Sequence, residues 1–173
     1  MLACVPGERL AWKPHVQSRS IGALVAHLAE IPGWAVHILE VPVFDLDLAP
    51  ASAEETSVAA DFLRRFDEVT ARTRRALDRS DAELNATWSL HRGGQELFSM
   101  PRCAAFRTLV LGHVVHHRGQ LSVYLRLNDI PVPPTYGPTG DTHKSQDTNL
   151  KSQVPGQPQV TATTSDDPAT GDL

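Results

Sequence analysis

The sequence predicts an all-α fold, an antiparallel up-down helix bundle with one small β-hairpin between its last two helices. Two observations lead there. Apolar residues recur at three- and four-residue spacing through three long stretches, about 20–40, 52–79 and 101–128, which is the period of a helix with one buried face. Residues 86–91 and 95–99 instead flank Arg92-Gly-Gly, the pattern of two short strands joined by a tight turn.

The first helix begins after Ser18 or Ser20, both good N-caps, and runs to about Glu40 with Leu24, His27, Ile31, Trp34 and Ile38 on one face. Pro32-Gly33 should kink it. The second follows Ser52, with Glu55 completing a capping box, and continues to about Arg79 on a stripe of Phe62, Phe66, Val69, Thr73 and Leu77. The third runs from Pro101, suited to a first helical turn, to about Asn128. A proline-rich strap, 128–139, then lies on the domain surface with Ile130, Val132 and Tyr136 as anchors. Beyond Thr139 the chain is polar and almost without large apolar residues, so the domain is placed at 1–140 and a disordered tail at 141–173.

A four-helix closure is missing. Residues 1–17 contain Pro6, Gly7 and Pro14, leaving no room for a helix before Ser18. The apolar faces of three helices then leave a groove to be covered by a partner subunit or by residues upstream, and a homodimer is expected.

Composition narrows the function. The chain has 173 residues, 41% of them hydrophobic, enough for one domain with a core. Its net charge is −4, with −3 of it in the tail, so the body is near neutral and no nucleic-acid or anionic-membrane partner is expected. No apolar run approaches the roughly 18 residues of a membrane span, and Met1 to Arg9 lacks a signal peptide's apolar region. Cytoplasmic residence follows by default. Cys4 and Cys103 suggest free thiols. The arginines of the second helix interleave with Asp61, Asp67, Glu68 and Asp78, the pattern of a solvated, ion-paired face.

The chemistry-bearing stretch is His113-Val-Val-His-His-Arg-Gly-Gln120. On a helical wheel His113 and His117 fall within about 20° of Phe106, on the core stripe, whereas His116 lies near its edge, about 80° away. Imidazoles at i and i+4 make a two-point metal ligand, and on a core stripe their nitrogens need satisfying. His27 lies on the stripe of the first helix. Three neutral imidazoles with an open position form the donor set of a catalytic rather than a structural metal site. Zinc, nickel, iron and manganese all suit it. Spacing alone leaves a second reading open, in which these are hydrogen-bonded core histidines. Gln120, on the same face, can hydrogen-bond a ligand histidine or bound water. Gly119, which costs about 1 kcal/mol against Ala in a helix, implies a closely packed backbone. His15, His37, His91, His116 and His143 fall on loops, stripe edges or the tail.

Three segments carry a family resemblance: Leu10-Ala-Trp-Lys-Pro-His15, Ile21-Gly-Ala-Leu-Val-Ala-His-Leu-Ala-Glu-Ile-Pro-Gly-Trp34, and Leu111-Gly-His-Val-Val-His-His-Arg-Gly-Gln-Leu-Ser-Val-Tyr124. Together with Pro131-Val-Pro-Pro-Thr-Tyr-Gly-Pro138, they resemble the DinB/YfiT-like superfamily of metal-dependent four-helix-bundle proteins, distinct from the DNA polymerase of the same name. The resemblance implies a divalent metal on His27, His113 and His117. It also implies a thiol S-transferase-like or hydrolase-like enzyme acting on a small molecule, with a low-molecular-weight thiol as possible cosubstrate. Against the family pattern the first helix is largely missing, with only Met1 to Cys4 left to match its end. The alternatives are a non-catalytic dimerisation or partner-binding module, or an inactive truncated member.

Overall fold

The computed structural model describes residues 1–48 and 59–142. The Ser52–Glu55 capping box and nearly all of the expected tail lie outside them. One compact unit spans Met1–Pro133. It is mostly helical, with a small three-stranded sheet.

Ahead of the first long helix the chain makes two 3-10 turns, Leu2–Cys4 and Gly7–Arg9. Val5 between them is buried, and Leu2, Cys4 and Leu10 pack against the core. Helix α1 (Ile21–Glu30) starts at Ser20, whose hydroxyl accepts from the Ala23 amide. The Ile21 amide donates to the Trp12 carbonyl and that of Gly22 to Leu10, at 2.8 Å each. Gly22 lets the two segments approach this closely, since a Cβ would stand 3.1 Å from the Leu10 oxygen.

The kink at Pro32 takes the form of a 3-10 turn, Ile31–Gly33, that separates α1 from α2 (Trp34–Glu40). Helix α3 (Ala59–Ala76) crosses this turn. Gly33 would bring a Cβ to 3.0 Å from Val69, and Thr73, only 6% exposed, donates its hydroxyl to the Pro32 carbonyl at 2.5 Å. The predicted stripe of α3 faces inward: Phe62 is 1% exposed, and Phe66 and Leu77 pack against the core. Its outer face is ion-paired, Arg64 to Asp61 and Glu68, while Arg65 reaches Glu30 at the end of α1. A short helix that the sequence reading passed over, α4 (Asp81–Asn85), follows a capping box of Ser80 and Glu83.

The expectation of an all-α fold needs correction. Strands β2 (Thr87–Arg92) and β3 (Gln95–Pro101) form the antiparallel hairpin, but β1 (Val43–Asp45) adds to β2 in parallel, giving the order β1-β2-β3. A strand of three residues is too short to show a period. What holds it is a long-range contact: the Asp45 carboxylate accepts from the amides of Gly93 and Gly94 in the hairpin turn. Both glycines have positive φ, 58° and 79°, as a type I′ turn requires.

The final helical run is not uniform. After α5 (Arg102–Ala105) comes a π-helical stretch, Phe106–Gly112, and then α6 (His113–Leu127). Arg102 reaches back to the carbonyls of Ile38 and Leu39, at 2.8 and 2.5 Å, tying this run to the end of α2. Helices α1 and α6 pass in opposite senses. Trp12, bonded to the start of α1, meets Tyr124 late in α6 edge-on, whereas His27, late in α1, meets His113 at the start of α6.

Two further expectations are corrected. A Cβ at Gly119 would meet nothing within 4 Å, so no backbone packs there. Of the strap, Val132 is buried and Ile130 packs on the core, while Tyr136 falls in the second unit, from Pro134. The window Ile21–Glu40 is long and apolar enough to cross a membrane by length and composition, yet 61% of it is buried inside the fold, as in a core helix.

Thr73→Val removes the one side-chain donor to the kink carbonyl while keeping the volume. We expect a loss of about 1–2 kcal/mol in urea unfolding. An unchanged midpoint contradicts this anchoring role.

Candidate metal centre

The three histidines selected from the sequence come together across the α1–α6 seam. His27 Nε2 lies 3.3 Å from His113 Nε2, and His117 Nε2 lies 2.7 Å from that same atom. One nitrogen from each ring falls within 4.8 Å of the other two. His117 is 8% exposed, while His27 and His113 are half-buried. The cluster therefore sits at the rim of the core rather than deep within it. His116 is exposed and outside the cluster, with its ring edge-on to that of His117.

The far side of each ring fixes which nitrogen carries the proton. His117 Nδ1 donates to the Gln120 side-chain oxygen at 2.6 Å. His113 bonds the Leu109 carbonyl, and with its Nε2 turned to the other rings, Nδ1 is the donor. Neutral rings so arranged have bare lone pairs on Nε2. Two such atoms 2.7 Å apart repel unless a cation lies between them. Metal–nitrogen bonds of 2.0–2.1 Å place tetrahedral donors about 3.3 Å apart, close to the 3.3 Å between His27 and His113 and wider than the 2.7 Å between His113 and His117. The donors match a metal in number, type and orientation.

A helical chain with these segments also matches a known family, the DinB family, over residues 1–150. The chain belongs to the DinB family. Among solved structures, it is similar to a DinB-like protein from Bacillus cereus, with a TM-score of 0.60 and 20% identity, over 79% of this chain and 86% of that one. A DinB-like protein from Bacillus subtilis gives 0.59 and 20%, over 78% and 85%. At that identity the likeness is one of fold. No curated protein matches.

The environment of this DinB-family site keeps the rings neutral. Burial is the largest cause for all three. It lowers His27 from 6.5 to about 4, with Arg19, His117 and His113 adding to the effect. His113 and His117 are also lowered, chiefly by burial, against opposing hydrogen bonds to Leu109 and Gln120. A proton is thus a poor candidate for the cation between the nitrogens near neutral pH, and a metal ion the better one.

Two neighbours escaped the sequence reading. Trp34 was placed on the core stripe but is 38% exposed. Its ring lies beside those of His27 and His113, with centroids 5.6 and 5.0 Å away, and it forms one wall of the site. Arg19 acts electrostatically on all three rings. Nothing in its sequence context signals this, since it precedes a helix cap like many surface arginines. The remaining histidines lie elsewhere: His37 against Phe44, His15 accepting from the Gln17 amide, and His91 beside Ser89 in β2. His143 is outside the described residues.

The depressed His27 sets a pH dependence for the metal-free protein. Between 6.5 and about 4 the unfolded chain binds a proton that the folded chain does not, so stability is lost as pH falls through this window. The Tm of metal-free protein should fall steadily across it, and less steeply in His27→Gln. Parallel profiles for the two proteins would contradict the assignment.

Proposed function

We propose that this DinB-family protein is a divalent-metal-dependent enzyme, with His27, His113 and His117 as the metal ligands and at least one coordination position open. The observation that carries the reading is the pair of Nε2 atoms facing each other at 2.7 Å, with His27 Nε2 completing the set. When bound, such an ion would act as a Lewis acid and lower the pKa of a thiol or water in the open position. Zinc, nickel, iron and manganese suit three imidazoles. A thiol nucleophile makes the enzyme an S-transferase, using a low-molecular-weight thiol as cosubstrate, and water makes it a hydrolase.

The protein's own residues supply the positioning. Gln120 and the Leu109 carbonyl hold the His117 and His113 rings by their Nδ1 protons, fixing ring orientation and leaving both Nε2 atoms free. Trp34 shields His27 and His113 from water on one side. The half-exposure of those two rings leaves the other side open to a small molecule.

Metal analysis of untagged protein tests this directly. We expect close to one divalent ion per chain in the wild type, and less than about 0.2 in His113→Ala, since a half-site loses most of its affinity. Equal, low metal content in both overturns the reading. Gln120→Leu should bind the same ion with roughly 10- to 100-fold lower affinity, measured by chelator competition.

One observation favours a second reading, a homodimer. Leu111, Val115, Val123 and Leu127 are each about half exposed. They recur every four residues around Gly119, an i, i+4 ridge of the kind that helices use to pack together. Val115→Arg with Val123→Arg should convert a dimer to a monomer in light scattering. A wild type that stays monomeric at high concentration excludes it.

A further inference from the structure

Of the three tryptophans in the chain, only Trp34 presents much of its ring to solvent. Trp88 is buried in the core, and Trp12 is half-buried against Tyr124. Trp34 is 38% exposed, and it stands at the histidine cluster, its ring centroid 5.6 Å from that of His27 and 5.0 Å from that of His113. An indole left partly in water forgoes part of what a large aromatic ring gains from burial. A ligand that covers it recovers that gain.

The backbone fixes where the ring starts. Trp34 opens α2 directly after the Ile31–Gly33 turn. Before it, Gly33 lies against Val69 and the Pro32 carbonyl accepts from Thr73. After it, Ala35 and Val36 are buried. With the main chain held on both sides, two side-chain torsions alone place the indole, so little freedom is lost when a ligand covers it.

The surroundings narrow what the ring receives. The His27 and His113 planes stand at 69° and 60° to the indole, so this side of the site is lined by flat rings meeting at steep angles. Aromatic groups gain from such edge-to-face and offset neighbours beyond what their area alone gives. Charge removes the alternatives. The negative face of an indole disfavours an anion and attracts a cation, but a divalent ion on the three histidines repels a cation. An uncharged aromatic ring meets neither objection.

We propose that Trp34 is the specificity-determining residue of the site, its indole taking an uncharged aromatic group of the substrate beside the metal. This deepens the metal reading above and rests on it, and the test separates the two.

Two thiols that differ in the ring they carry, phenylmethanethiol and cyclohexylmethanethiol, are titrated into protein loaded with Co²⁺. Sulfur bound to Co²⁺ shows as a near-ultraviolet absorption band, so affinity is read without turnover. The ratio of the two affinities should favour the phenyl thiol about 3- to 10-fold more in wild type than in Trp34→Leu. Any difference in thiol acidity is common to both proteins and cancels. Trp34→Phe, which keeps an aromatic face, should retain most of the preference. A wall that is merely apolar favours the more hydrophobic cyclohexyl thiol as much as Trp34→Leu does.

A second readout needs no affinity from a variant. In Zn²⁺-loaded wild type the Trp34 indole N–H resonance, identified by its loss in Trp34→Phe, should move with the phenyl thiol and far less with the cyclohexyl thiol, because only the aromatic ring carries a ring current. The Trp12 and Trp88 resonances should stay in place. An equal affinity ratio in wild type and Trp34→Leu, an absent sulfur band, or a Trp34 resonance indifferent to the phenyl ring overturns the proposal and leaves the metal reading intact. A wild type that takes up no Co²⁺ overturns both.

Discussion

The structure around the site depends on one constraint: two imidazoles a turn apart on a single helix are both held by Nδ1, so both Nε2 atoms must face the same point. Leu109 and Gln120 impose this from opposite sides of the pair. Neither partner is distant. Each lies three or four residues from the histidine it holds, so the half-site is built within one helical segment and needs the rest of the fold only for its third donor. The π-helical stretch ends where α6 begins, at His113. A wider turn there resets the facing of the helix between its core residues, such as Val110, and the ligand pair, which is a recurrent use of such turns.

The third donor imposes more on the fold. His27 has to meet the pair across a seam between two helices that run in opposite senses, and the seam is fixed at both ends. At one end, Trp12 packs on Tyr124 and the chain ahead of α1 is hydrogen-bonded to its first turn. At the other, the kink at Pro32 turns the chain so that Trp34 lies over His27 and His113, and Thr73 of α3 anchors the kink carbonyl. A straight helix through residue 34 would carry this ring along the core stripe and leave that side of the cluster open. The proline thus links the bundle core to a wall of the site.

Much of this was legible in the sequence, and the limits have physical causes. The i, i+4 histidines, the Ser20 cap, the Pro32 break and the Arg92-Gly-Gly turn are local signals, carried by residues within a few positions of each other, and the structure places each as expected. Strand β1 was not legible, because its pairing is set by Asp45 reaching a turn 48 residues away. The π-helical stretch was hidden for a different reason: Phe106–Gly112 has ordinary helical composition, which carries no signal for a change of pitch. Gly119 misled because a glycine in a helix marks either close packing or an open surface, and only the neighbours distinguish them.

The chemistry follows from how little charge the donors bring. A site that staples a fold usually surrounds its ion with four ligands, often thiolates that neutralise it. Here three uncharged rings sit at the rim of the core, two of them half-exposed, and burial and Arg19 both work against protonating them. Such a site is poorly suited to holding structure together, since the fold is already supported by the core around Trp88, Phe62 and Leu121. Were it to hold a divalent ion, as we propose, it would be suited to polarising a molecule entering the open side, because an ion whose charge is not quenched by its ligands acts most strongly on the next molecule to bind.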